Sequence, residues 1–127
     1  HLGRDDGDVA AARARLGADR LLGVSCYDNL ELAIAAVAAG ADHVAFGSAF
    51  ASPTKPEAVR APPSLFTQAR ARLRVPIVAI GGITPENARL VIEAGADAVA
   101  VITAVFDAED VAAAAAAFRS LFQRRKS

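Results

Sequence analysis

One short phrase recurs three times along the chain, as Gly17-Ala18-Asp19, Gly40-Ala41-Asp42 and Gly95-Ala96-Asp97, and each copy runs straight into an apolar stretch. A glycine closes a helix in the left-handed conformation at no steric cost, and apolar runs this short and continuous read as buried strands rather than surface helices. Each copy therefore predicts helix, stop, strand. The expected strands are residues 20–25, 43–48 and 98–103, with a fourth, 75–80, that runs into Gly81-Gly82 without the introductory phrase. Repeated βα units call for an α/β fold, a parallel sheet with helices packed on it. Such sheets hold ligands in the loops at the carboxyl ends of their strands.

The chain has 127 residues, is 54% hydrophobic and carries no formal net charge, which predicts one globular unit and points to no nucleic-acid partner. The closing Arg124-Arg125-Lys126 reads as a solvated helix end. A single cysteine, Cys26, excludes an intramolecular disulfide and fits a reducing, cytoplasmic setting. No apolar run approaches the roughly 20 residues needed to span a bilayer, so no membrane partner is expected. The chain opens on His1-Leu2-Gly3 as though already at a strand end, and about four βα units follow, where a closed parallel barrel has eight strands. The expectation is one partial (β/α)8 barrel domain over residues 1–127, lacking its amino-terminal half. Open sheet edges would then favour self-association or pairing with the missing half.

Asp5, Asp6 and Asp8 precede a short helix at 9–16 and suit its amino terminus. Asp28-Asn29-Leu30-Glu31 has the form of a capping box with Asp28 as the cap. A long loop at 49–63 carries Pro53, Pro56, Pro62 and Pro63, and a loop of that length in a compact unit is usually functional or mobile. Ser64 is expected to cap the helix that follows, running to about residue 73. Thr84-Pro85-Glu86-Asn87 predicts a helix directly after Gly81-Gly82, and residues 108–122, rich in alanine, predict the last one.

Chemistry is expected at the ends of the last two strands, where Gly81-Gly82 lets backbone approach a ligand and free amides attract phosphate oxygens. In a barrel these loops form the usual phosphate cradle. The long loop adds Ser52-Pro53-Thr54-Lys55, two hydroxyls and an ammonium within four residues. Lys55 is a suitable partner for a departing diphosphate, or an ordinary exposed loop lysine. Ser25 either donates to an oxyanion or satisfies local backbone groups. The acids near residue 6 either cap a helix or offer a hard carboxylate to Mg2+. His43 starts a strand far from the ligand end, and Cys26 reads as packing, so a hydrolase with a histidine base is hard to build. No Cys and His cluster suggests zinc.

Taken together, His1-Leu2-Gly3-Arg4-Asp5-Asp6, Gly23-Val24-Ser25, Phe46-Gly47-Ser48 with Pro53-Thr54-Lys55-Pro56, Ala79-Ile80-Gly81-Gly82-Ile83-Thr84 and Val101-Ile102-Thr103-Ala104 resemble thiamine-phosphate synthases, in that family's order and spacing. The resemblance implies the carboxyl-terminal half of a (β/α)8 barrel that joins an aminopyrimidine diphosphate to a thiazole phosphate, releasing diphosphate with Mg2+. It implies Asp6 as a carboxylate ligand of Mg2+, and Ser25 and Lys55 as catalytic groups that hold the pyrimidine diphosphate. Ser52, Pro53, Thr54, Gly82, Ile102 and Thr103 would line the thiazole phosphate site. Ser52 stands where the family often has threonine and Thr103 where it often has serine, and both keep the hydroxyl. The resemblance also implies that this chain alone lacks synthase activity. Two rival readings are a thiazole tautomerase of the same family, for which Cys26-Tyr27 supplies no histidine acid or base, and a half-barrel that binds phosphate without chemistry.

Overall fold

The computed structural model describes residues 1–52 and 55–125. Ten elements follow one another as α1 (Val9–Leu16), β1 (Gly23–Tyr27), α2 (Leu30–Ala38), β2 (His43–Phe46), α3 (Pro63–Arg72), β3 (Ile77–Ile80), α4 (Ala88–Ala94), β4 (Ala98–Ala100), α5 (Thr103–Phe106) and α6 (Val111–Arg125). The strands form one sheet in the order β1-β2-β3-β4, every neighbouring pair parallel. Leu2 bridges Val24 in parallel, its amide donating to the Gly23 carbonyl at 2.9 Å and its carbonyl accepting the Ser25 amide at 2.9 Å. The opening residues therefore run along the β1 edge. This is the α/β arrangement of (β/α) barrel units that the repeats predict.

Alternation along the strands decides which face the helices cover. Val24, Cys26, Val44, Phe46, Ile77 and Ala79 point into one core with Ala33, Ala36, Leu65, Phe66, Ala69, Val91 and Ile92 from α2, α3 and α4. Phe46 meets Phe66 edge to face, their centroids 5.8 Å apart. The alternate residues, Ser25, Ala45, Val78, Ile80 and Ala98, belong to the opposite face.

Several boundaries differ from expectation for local reasons. The first strand begins at Gly23 rather than residue 20, because the Arg20 carbonyl is taken by the Arg13 side chain at 2.7 Å. The second ends at Phe46, because the Ser48 amide turns away to the Val59 carbonyl at 2.7 Å. The third begins at Ile77 and the fourth ends at Ala100, so Thr103 opens α5 instead of closing a strand. Asn29, not Asp28, caps α2, accepting the Leu32 amide at 3.0 Å. At α3 the extended Pro62 and the following Pro63 replace the expected Ser64 cap. The last helix starts at Val111, where Asp110 accepts the Ala113 amide at 3.0 Å.

Candidate functional site

The strand ends align in one row: Tyr27 pairs with Phe46, Phe46 with Ala79 and Ile80 with Ala100. Beyond that row the long loop leaves β2 and stays bound to β3, with the Ala49 amide on the Ile80 carbonyl at 2.8 Å and the Phe50 amide on the Gly81 carbonyl at 3.1 Å. Gly81 and Gly82 have φ of 93° and 65°, in the left-handed region. A Cβ on Gly81 would lie 2.3 Å from the Ser48 Oγ, and one on Gly82 would lie 2.4 Å from the Ala51 carbonyl oxygen. Only glycine permits both the conformation and this approach. The buried Ser48 fixes the base of the loop, its hydroxyl donating to the Phe50 carbonyl and its own carbonyl accepting the Ala61 amide at 2.9 Å.

Ser52 is thus carried to the Gly82 turn, one residue past the carbonyl that touches it, and is half-buried there. Lys55 is exposed, at the start of a turn closed by the Ala58 amide on its carbonyl at 3.2 Å. Pro53 and Thr54 lie outside the described residues. Ile102 and Thr103 follow the neighbouring strand end, Ile102 76% exposed, so Gly82 and Ile102 each stand two residues beyond the Ile80 and Ala100 pair. Asn87 holds this turn. Its amide nitrogen donates to the Gly82 carbonyl at 3.0 Å, its Oδ1 accepts the Thr84 amide at 2.8 Å, and its own backbone amide reaches the Thr84 hydroxyl at 3.3 Å. That reciprocal pairing of Thr84 with the residue three positions on is a capping box. The Thr84 carbonyl takes both the Asn87 amide at 3.2 Å and the Ala88 amide at 2.9 Å, so residues 85–87 form a turn and α4 begins at Ala88 rather than directly after the glycines.

At the other edge Ser25 lies within β1, opposite Ala45, and not at the strand end as expected. Its hydroxyl is 2.7 Å from His1 Nε2, and the His1 ring stacks on His43 with centroids 6.1 Å apart. When Nε2 carries the proton, His1 donates to Ser25, and the serine hydroxyl hydrogen remains to serve an oxyanion. The acids divide their roles. Asp8 caps α1 by accepting the Ala11 amide at 3.0 Å, whereas Asp6 closes the preceding turn through the Gly3 amide at 2.6 Å. Among the described residues no three His, Cys, Asp or Glu side chains gather to hold a metal. Mg2+ commonly takes one or two carboxylates with water and substrate phosphates, so one exposed carboxylate at the strand ends fits it as a single ligand.

At this edge Tyr27 carries no sequence signal strong enough to mark it, and Cys26 is the packing residue that the sequence predicts. Tyr27 has φ of 57°, an uncommon conformation for a bulky residue, and its hydroxyl accepts the Arg4 amide at 2.9 Å. Cys26 beside it is fully buried, and burial pushes its thiol up to about 12, so it offers neither thiolate nor acid–base group.

Parallel βα units in this order, with a Gly-Gly turn pinned at a strand end, define a protein of the (β/α) barrel class. The thiamine monophosphate synthase family model matches residues 1–105, and the chain belongs to that family. A thiamine-phosphate synthase of Chromobacterium violaceum is 62% identical over 125 residues, covering 98% of this chain and 60% of the relative. That of Aromatoleum aromaticum is 59% identical over 122 residues, covering 96% of this chain and 59% of its own. The thiamine phosphate pyrophosphorylase structure from Pyrococcus furiosus superposes with a TM-score of 0.82 at 35% identity, covering 97% of this chain and 58% of that one. The chain thus spans about three-fifths of the length of these relatives. Among the described residues no helix is long and apolar enough to cross a membrane.

Proposed function

We propose that the protein acts in thiamine biosynthesis as a thiamine-phosphate synthase, joining an aminopyrimidine diphosphate to a thiazole phosphate. The observation that supports this reading is the contact of the 48–51 segment with the Gly81-Gly82 turn, which brings the long loop, with Ser52 next in sequence, against that strand end. The thiazole phosphate would lie on that turn and on Ile102 and Thr103, with Pro53 and Thr54 completing the loop side. The diphosphate would meet Lys55, Ser25 and Asp6, the last through Mg2+, which supplies neutralising charge to the leaving group when bound.

The reaction is dissociative. The bond between the pyrimidine methylene carbon and the diphosphate oxygen breaks, its electron pair leaving with diphosphate. Lys55 and the Ser25 hydroxyl stabilise that developing charge. The thiazole nitrogen lone pair then forms the new carbon–nitrogen bond. No protein nucleophile is needed, and the buried neutral Cys26 accords with that. The same observation removes Cys26 as the proton-transfer group that a tautomerase would need. A cytoplasmic location is part of the proposal, supported by a lone buried thiol.

Thiamine phosphate formation from both substrates with Mg2+ tests the proposal. It is measured on this chain and on the chain joined to the part of the Chromobacterium violaceum relative that it does not match. Activity confined to the joined protein, and lost in its Lys55→Ala form, supports the synthase. A folded joined protein that exchanges a thiazole proton but couples nothing assigns the tautomerase instead.

A further inference from the structure

Arg4 stands among carboxylates, with Asp5 and Asp6 next to it and Asp8 shortly beyond, yet it joins none of the ion pairs formed among the described residues. Its guanidinium lies over the Tyr27 ring, 4.4 Å from the centroid, and its amide donates to the Tyr27 hydroxyl. Tyr27 is itself firmly placed. Its carbonyl accepts the Gly47 amide at 3.1 Å, and the β1–β2 register shifts between Ser25 and Tyr27. Irregularities of this kind re-aim side chains beside active sites, and a bulky residue at positive φ is a recurrent mark of such places.

We propose that Arg4, presented on the Tyr27 ring, is a cationic contact for the diphosphate group of the pyrimidine substrate. An arginine paired with Asp6 would cancel both charges. An aromatic face holds the guanidinium without neutralising it and leaves its in-plane N–H donors to match phosphate oxygens. Tyr27 thereby keeps a cation for the anionic substrate and a carboxylate for a hard metal on one turn, Gly3 to Asp6. Tyr27 is a positioning residue and Arg4 the group that touches the ligand. The inference rests on the synthase reading.

The test is binding of inorganic diphosphate with Mg2+, by calorimetry at two ionic strengths, to this chain and to the joined protein described above. Arg4→Gln removes charge at an exposed position. It should weaken diphosphate about tenfold, the loss expected for one charged hydrogen-bonding contact, and leave thiazole phosphate binding unchanged. Tyr27→Leu should weaken diphosphate in the same direction, while Tyr27→Phe, which keeps the ring, should stay within about twofold of the parent. Unchanged diphosphate affinity in Arg4→Gln, with Lys55→Ala weakened, overturns the assignment of Arg4 and leaves the synthase standing. Equal weakening of both ligands in Arg4→Gln overturns it as well. No diphosphate binding by either parent protein overturns this inference together with the diphosphate reading.

Discussion

The Asp97 carboxylate accepts the Ile77 amide at 2.9 Å while the Asp97 amide donates to the Ile77 carbonyl at 2.8 Å, so one residue ahead of β4 satisfies both backbone groups at the start of β3. Asp42 does the same for Leu22, both bonds 2.7 Å. Each carboxylate also pairs with an arginine from a helix, Arg70 for Asp97 and Arg13 for Asp42. Arg70 goes on to the Leu73 and Val75 carbonyls, and Arg13 to the Gly40, Gly17 and Arg20 carbonyls. The second and third copies of the Gly-Ala-Asp phrase are therefore clasps that tie one strand's entry to the next. The chain needs such ties because the amino ends of parallel strands offer backbone groups that the ladder itself leaves unpaired.

Asp97→Ala should cost about 2 kcal/mol, the usual loss when a partly buried carboxylate bonded to an amide and a guanidinium is removed. Urea unfolding followed by far-ultraviolet circular dichroism measures it. An unchanged midpoint and slope would show that the clasp contributes nothing.

Asp42 carries the pH dependence of the twin clasp. The Leu22 amide first, and the Arg13 side chain next, hold its carboxyl below the ordinary 3.8. Because the folded value is depressed, its stabilisation is complete above the unfolded value and is lost as pH falls through the folded one. Asp42→Asn should therefore lower the melting temperature near neutrality and show a shallower fall in acid than the parent. Parallel acid limbs in the two proteins would refute the linkage.

Cys26 should resist a water-soluble aromatic disulfide reagent in the folded protein at pH 8 and react at once in urea, since its thiol is raised from 9.0 to about 12 by burial. The folded state keeps a proton that the unfolded chain loses above 9.0, so stability should fall with rising pH from there. Rapid labelling without denaturant would place the thiol at the surface and remove the packing role argued for it.

What the sequence made legible was the order of elements apart from α5, because the Gly-Ala-Asp phrase and the apolar runs are local signals. The Gly81-Gly82 turn and the acidic turn were legible for the same reason. Strand limits were not. Arg13 withdraws Arg20 from β1, and Ser48 is drawn to Val59, through contacts made only once the chain has folded. Tyr27 stayed invisible because positive φ in a tyrosine has no sequence signature. Asn87 did have one, its three-residue spacing from Thr84, but asparagine completes that box less commonly than glutamate or glutamine.

Gly82 and Asn87 separate two ways in which the proposed phosphate site at this turn can fail. Gly82→Ala places a methyl against the Ala51 carbonyl and strains φ of 65°, so the 49–52 segment must move away from the turn. Thiazole phosphate binding in the joined protein should drop by at least about tenfold, with stability reduced by roughly 1–3 kcal/mol. Gly7→Ala is the control: it shares positive φ, at 101°, but its methyl meets no atom within 4 Å. It should lose stability and keep the ligand. Asn87→Ala leaves the glycines intact and removes the bonds to Gly82 and Thr84. A turn held only by its own backbone is free to rotate its carbonyls toward the phosphate, so affinity should fall by about tenfold while the segment at 49–52 keeps its contacts. Equal affinity in Gly82→Ala and Gly7→Ala would mean that the close approach of Ala51 to Gly82 has no part in holding a phosphate.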